Sequence, residues 1–179
     1  MVLGPKELLK LVKKIKLVDG LSERELTNPE GAGFDLRLGE VFKISGNAFL
    51  GEIHRQTPDI ESVMVYNEKK KQAIKIKPGD YFLVKTIEKI NLPINLSAII
   101  LPRTTTFRSG LFLRTGPIQP GYSGELTFGL KNEGPIIVEI EMGARFAHVI
   151  FHEIKGEGSK YRGQWQGGRV SATKREKQV

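Results

Sequence analysis

The chain contains no cysteine, so disulfides, thiolate metal sites and cysteine nucleophiles are all excluded. Histidine is scarce: His54, His148 and His152 are the only three, and they cannot by themselves fill a zinc site. No run approaches the roughly 18 apolar residues that a membrane-spanning helix requires, so no membrane partner is expected. The opening stretch Met1-Val2-Leu3-Gly4-Pro5-Lys6 has no signal-peptide core before its charges begin, which makes the cytoplasm the default location. Aromatics are few, 8% of residues, and do not interleave with the basic runs. Stacking along a nucleic-acid strand therefore finds little support.

With 39% hydrophobic and 27% charged residues, the 179-residue chain has enough apolar material for one compact domain. The net charge of +8 favours a polyanionic partner, either nucleic acid or a small phosphorylated ligand. Much of the excess sits in Lys10 to Lys16, in Lys69-Lys70-Lys71 and in the tail Lys174-Arg175-Lys177, and such runs are usually solvated faces. A single β domain is expected over residues 1–169. Residues 170–179, basic and poor in apolar side chains, are expected to be disordered or ordered only by a ligand.

Leu8, Leu9, Leu11, Val12 and Ile15 recur at helical spacing behind Pro5, which suits a first helical turn. After this short amphipathic helix the pattern is almost wholly β. Short apolar or alternating runs at 34–38, 73–76, 81–84, 98–101, 126–130, 136–140 and 147–151 are separated by turn signals such as Lys77-Pro78-Gly79-Asp80 and Gln119-Pro120-Gly121. The expected class is mainly β, a distorted β-barrel or jelly-roll-like fold with a short N-terminal helix.

Four segments carry candidate chemistry. In Gly31-Ala32-Gly33-Phe34-Asp35-Leu36-Arg37-Leu38-Gly39, Asp35 alternates with apolar residues; the plain alternative is a surface aspartate paired with an arginine. In Pro102-Arg103-Thr104-Thr105-Thr106-Phe107-Arg108-Ser109-Gly110, three hydroxyls between two arginines make a phosphate cradle, or else a capped polar turn. The pattern is not a P-loop. In the third, residues 115–132, a tight turn feeds a strand with Leu126, Phe128 and Leu130 on one face and Glu125, Thr127 and Gly129 on the other. In Tyr161-Arg162-Gly163-Gln164-Trp165-Gln166-Gly167-Gly168-Arg169, the only tryptophan and two arginines lie in a glycine-rich stretch that reads as a flexible lid or as a frayed tail.

Taken together and in order, these segments resemble the dUTPase/dCTP deaminase family. GAGFDLRLG is followed by PRTTTFRSG in place of a PRSSLAR-type motif, then by GPIQPGYSGELTFGLKN, GARFAHVI and YRGQWQGG. The match runs through residues 31–169, and the DLRLG and YRGQWQ wording leans toward the deaminase-like branch, to which archaeal-type enzymes belong. The resemblance implies a homotrimer with active sites between subunits, and Mg²⁺ carried on the substrate triphosphate, with no metal ligands assigned on the chain.

Three departures shape the expected activity. The resemblance places a deaminase glutamate ten residues after the aspartate of the I-D-P-G turn, and that position here is Gly129. Glu125 is four residues away, roughly 13 Å along a strand, and cannot simply replace it. The last glutamine of the YQGQ pattern is Gly168, and the turn aspartate itself is Gln119. A neutral amide cannot act as a general base, but it can orient a water, with Asp35 or Glu125 supplying basicity or holding the hydration shell of the metal.

The expected function is hydrolysis of dUTP to dUMP and pyrophosphate. Arg103, Thr104, Thr105, Thr106 and Arg108 would hold phosphates, and Gln119 and Tyr122 would line the sugar side. Backbone groups from Thr127 to Gly129 would read the base, with space freed by Gly129. Tyr161, Trp165 and Gln166 would belong to the closing segment. The alternatives are a dCTP deaminase or bifunctional deaminase/diphosphatase, a catalytically weak nucleotide-binding regulatory trimer, and a nucleic-acid-binding barrel.

Overall fold

The computed structural model describes residues 1–178. Helix α1 (Pro5–Ile15) begins with Pro5 in its first turn and ends where Lys16 adopts a left-handed conformation (φ 52°). It buries Leu8 completely and lays Leu9, Leu11 and Val12 against the core, leaving its lysines outside. Strand β1 (Val18–Asp19) and helix α2 (Glu23–Thr27) follow, then the strands β2 (Phe34–Ser45), β3 (Phe49–Leu50), β4 (His54–Gln56), β5 (Asp59–Val65), β6 (Ala73–Ile76), β7 (Tyr81–Asn91) and β8 (Leu96–Pro102). A short helix α3 (Thr104–Arg108) leads to β9 (Leu111–Arg114), β10 (Ser123–Asn132), β11 (Val138–Glu141), β12 (Arg145–Glu153) and β13 (Glu176–Lys177).

The main sheet runs β8-β12-β2-β7-β10-β9, with β1 added to β7 and β5 to β2, and it curls into a nearly closed barrel-like form. Its core holds Phe34, Leu36, Leu38, Val84, Phe128, Leu130, Phe146 and Phe151. The expected mainly β architecture with a short N-terminal helix is what the structure has.

Strand β7 alternates almost perfectly, burying Phe82, Val84, Thr86, Glu88 and Ile90. Two of these are polar, and the reason lies in its neighbours. The register of β2 shifts between Leu38 and Glu40, and that of β10 between Glu125 and Thr127, both opposite this part of β7. Such irregularities free backbone N–H groups from the ladder. Thr86 Oγ1 takes the N–H of Leu126 at 3.0 Å, and Glu88 Oε2 takes that of Arg37 at 2.8 Å. Each buried polar side chain replaces a missing ladder bond.

The tail departs from the sequence expectation of disorder, or of order only with a ligand, over 170–179. Residues 171–178 are packed against the β3–β4 hairpin, with β13 paired to β4, and Ala172 is fully buried. Thr57 N–H donates to Ala172 O at 3.0 Å, Ala172 N–H to Thr57 Oγ1 at 2.7 Å, and Gln178 N–H to Ile53 O at 2.8 Å. Composition misses this because main-chain pairing, which any side chain permits, supplies the order. The last residue, 179, lies outside the described residues.

Candidate functional site

Among the described residues two concave sites stand out, and they share no lining residue. The larger, a cavity of about 560 Å³, lies between the turn 116–122, the middle of β10 and the segment 161–170. It brings together Gln119, Tyr122, Thr127, Tyr161 and Trp165, with Tyr81, Leu83, Ile44 and the Thr57-Pro58 corner as further walls. Strand β9 pairs with β10 only over Gly129–Asn132. Ahead of Gly129, β10 therefore has β7 on one side and no strand on the other, and Leu126, Thr127 and Phe128 open onto the cavity.

The turn is fixed from both sides. Leu92 and Tyr122 are bonded main chain to main chain, and Tyr161 N–H donates to Pro120 O at 2.7 Å. Tyr122 is buried and donates its hydroxyl to Glu125 O at 2.5 Å. Burial, with the nearby Tyr161 and Glu125, pushes this phenol up to about 12, so it remains a neutral donor. Gln119 is exposed at the cavity wall.

The glycine-rich segment read as a lid or frayed tail lies closed over this turn. Gly167 N–H donates to Ser123 O at 2.7 Å, and Gln166 bridges Gly121 O and Ser123 N–H at 3.1 and 3.3 Å. Gln166 is thus a strap and does not line the cavity. Trp165 lines it and carries the Arg55 guanidinium 5.0 Å from its ring centroid. Gly124 lies against the Gly167-Gly168 backbone, which a side chain at 124 would strike, and a side chain at 168 would meet Glu125.

Two expectations about the base end are corrected. Gly129 does not free space: the Tyr81 hydroxyl sits where a Cβ on residue 129 would have to be. Glu125 does not reach the cavity. Its carboxylate pairs with Lys89 at 3.4 Å and lies against Gly168.

The smaller cavity, about 340 Å³, is lined by Asp35, Arg103, Thr104, Thr105, His148 and the loop Glu30-Gly31 beside the end of β8. Asp35 is its buried anchor. Oδ2 lies 2.9 Å from Arg145 Nη1 and 3.0 Å from Arg103 Nε, while Oδ1 lies 2.8 Å from His148 Nδ1. A carboxylate only accepts, so His148 Nδ1 carries the proton in this contact. Burial by itself raises the Asp35 carboxyl, but the His148 hydrogen bond and the charges of Arg103, His148 and Arg145 outweigh it and hold the group below its ordinary range. Beneath it Glu25, also buried, accepts the Asp35 N–H at 3.0 Å and contacts Arg24.

Of the phosphate candidates, Arg103, Thr104 and Thr105 face this cavity. Thr106 does not: it is buried, and its hydroxyl donates to Phe146 O at 2.8 Å. Arg108, at the end of α3, is exposed and away from the lining. The sequence also missed Arg145, His148, Glu25 and Tyr81. His148 was legible only once β12 was known to pair with β2, which sets it opposite Asp35.

Residues 102–108 do not converge with 116–129 and 161–168 within one chain. Ile118 at the larger cavity bridges Ala98, whereas the cradle begins past Pro102, at the far end of the same strand. Four residues of strand put roughly 13 Å between these points.

A profile described as dCTP deaminase-like matches residues 2–154, most of the chain. The chain belongs to the dCTP deaminase-like family. It is 30% identical over 168 residues to a dCTP deaminase of Pyrococcus furiosus, covering 93% of this chain and 95% of that one. It is 28% identical over 149 residues to a deoxyuridine 5'-triphosphate nucleotidohydrolase of Methanocaldococcus jannaschii, covering 83% and 92%. Relatives at similar identity thus carry both names. The fold is similar to that of a 2'-deoxycytidine 5'-triphosphate deaminase from Agrobacterium tumefaciens (TM-score 0.65, 18% identity), covering 84% of this chain and about half, 47%, of that one. No helix is long and apolar enough to cross a membrane among the described residues.

Proposed function

We propose that the chain hydrolyses dUTP to dUMP and pyrophosphate, with the larger cavity taking the deoxyuridine and the Arg103-Thr104-Thr105 cradle taking phosphates. The observation that carries this reading is the wall of the larger cavity. It joins a planar aromatic (Trp165), an uncovered stretch of β10 backbone and the amide of Gln119, and among the described residues it bears no carboxylate. Fixed backbone groups distinguish uracil from cytosine because donor and acceptor exchange at C4. A ring attacked at C4 would need a water activated beside it, and neither Gly129 nor the Tyr81 hydroxyl above it is a carboxylate.

On this reading base and phosphates meet only when the cradle of a second copy faces the cavity of the first. The half-exposed apolar residues Ile99, Leu101, Phe107 and Phe112 on β8, α3 and β9 support such an assembly, since they flank the cradle and leave apolar surface for another copy to cover. A homotrimer is the arrangement the family resemblance implies.

Arg103 would neutralise phosphate charge and Thr104 and Thr105 would donate to phosphate oxygens, while Gln119 would orient the attacking water and the sugar. Asp35, committed to Arg103, Arg145 and His148, fits a positioning group better than a base. No group of three His, Asp or Glu side chains able to hold a metal ion occurs among the described residues. Mg²⁺ enters as part of the substrate, on the triphosphate.

Incubation with each deoxynucleoside triphosphate and Mg²⁺, followed by separate assays of pyrophosphate and ammonia, tests the proposal. Pyrophosphate from dUTP without ammonia from dCTP supports it, whereas ammonia from dCTP would establish the deaminase or bifunctional alternative. The missing carboxylate on the cavity wall also favours a second reading, a nucleotide-binding regulatory trimer with little catalysis. Retained dUTP binding with no pyrophosphate released would favour that one.

A further inference from the structure

The base end of the larger cavity is closed by a side chain that the family motifs do not include. Tyr81, the first residue of β7, lines the cavity and extends its ring along the sheet over Gly129, with Cζ 3.1 Å from where a Cβ on that residue would stand. Gly129 is flanked in the ladder by Leu83 and Arg114, so its own position is fixed and the tyrosine lies above rigid backbone. Two residues earlier on β10, Thr127 Oγ1 is buried and has no hydrogen-bond partner among the described residues, and Thr127 lines the same cavity. The surrounding walls, Ile44, Leu83, Leu126 and Phe128, are apolar. A buried hydroxyl without a partner calls for an explanation, and beside a cavity a bound ligand is one that supplies it.

We propose that the Tyr81 and Thr127 hydroxyls together bind the polar edge of the pyrimidine ring, and that they do so without choosing between an oxo and an amino substituent. The inference rests on the reading of this cavity as the base pocket. Its physical basis is the hydroxyl rotor: each hydroxyl has one donor hydrogen and two acceptor lone pairs and turns to suit its partner, so it satisfies a ring carbonyl or a ring amino group equally. Tyr81 and Thr127 then supply affinity for the ring, and selection between uracil and cytosine stays with the fixed main-chain groups of β10. The close approach of Tyr81 to Gly129 makes the two positions a coupled pair, because any side chain on residue 129 pushes the phenol off the ring edge.

Calorimetric titration of the full chain with dUMP, dCMP and inorganic triphosphate tests this. Tyr81→Phe and Thr127→Val, which keep shape and remove the hydroxyl, should each weaken dUMP and any dCMP binding about tenfold, by the same factor for both, and leave triphosphate binding unchanged. Gly129→Ala should weaken dUMP about tenfold in the native background and less than twofold in Tyr81→Ala. Tyr81 is 39% exposed, so its replacement spares the core, and circular dichroism of each variant checks the fold. If the native chain binds dUMP and Tyr81→Phe binds it equally well, the inference fails while the base pocket stands. A shift of more than threefold in the dUMP/dCMP ratio also overturns it. If the native chain binds neither nucleotide, the pocket reading fails and takes the inference with it.

Discussion

Arg103 Nε stands 3.0 Å from Asp35 Oδ2, which ties the first basic residue of the proposed phosphate cradle to a carboxylate buried in β2. The contact gives both residues a definite job. Arg103 is held in one orientation before any ligand arrives, and Asp35 balances charge that would otherwise gather where Arg24, Arg103 and Arg145 converge. An aspartate so engaged is a weak base, because its proton affinity is lowered by the same partners that fix it.

The acid stability of the chain should report on this cluster. The Asp35 carboxyl is held below its unfolded value, so between the two values the unfolded chain binds more protons and stability rises with pH. The contribution is complete above the ordinary carboxylate range, near pH 4, and is lost as pH falls from there through the folded value. Asp35→Asn should cost roughly 3 kcal/mol at pH 7, the order seen when one member of a buried ion pair is removed. It should also flatten the decline below pH ~4. Urea unfolding at stepped pH measures both.

Arg103 itself should act on phosphate and not on base. Arg103→Lys keeps the charge but loses the planar fork, and is expected to weaken dUTP at least tenfold while leaving dUMP binding to the larger cavity within about twofold. Equal losses for dUTP and dUMP would mean that Arg103 supports the fold or the base pocket, and not the triphosphate.

Gln119 is exposed at the cavity wall and carries no charge. If its amide orients the attacking water, then Gln119→Asp adds a base at the same point. Because general bases contribute typically about 10²–10⁴-fold, turnover of dUTP should rise tenfold or more. A loss of turnover would show a site built around the amide. Initial rates of pyrophosphate release over a range of dUTP concentrations separate the two.

The buried pair Arg37–Glu88 should be a point of fragility. Arg37 Nε lies 2.7 Å from Glu88 Oε1, and Glu88 is 1% exposed. Burial pushes the Glu88 carboxyl up against the pull of Arg37, so removing the arginine leaves a charge with no partner. Arg37→Met should cost about 3–5 kcal/mol. In a Glu88→Gln background, which keeps an acceptor for the Arg37 N–H, the same change should cost less than half as much. Thermal and urea unfolding of the native chain and the three variants give the coupling.

By itself the sequence determined the class of the fold and pointed to part of the lining of the larger cavity. Period-2 runs punctuated by turn residues left β structure as the consistent solution, and the helical spacing of Leu8, Leu11 and Val12 placed α1, because both patterns are local and side-chain direction follows from backbone period. Gln119, Tyr122, Thr127 and Trp165 were legible as a group, since turn, strand and glycine-rich segment each announce themselves within a few residues. Only the tertiary structure decided that Thr106 is spent on Phe146, that Tyr81 covers Gly129, and that Asp35 faces His148 from 113 residues away. These facts depend on register and on which strands become neighbours, and a one-residue slip would reverse every face. Register comes from pairing across the whole barrel, so no window of sequence contains it.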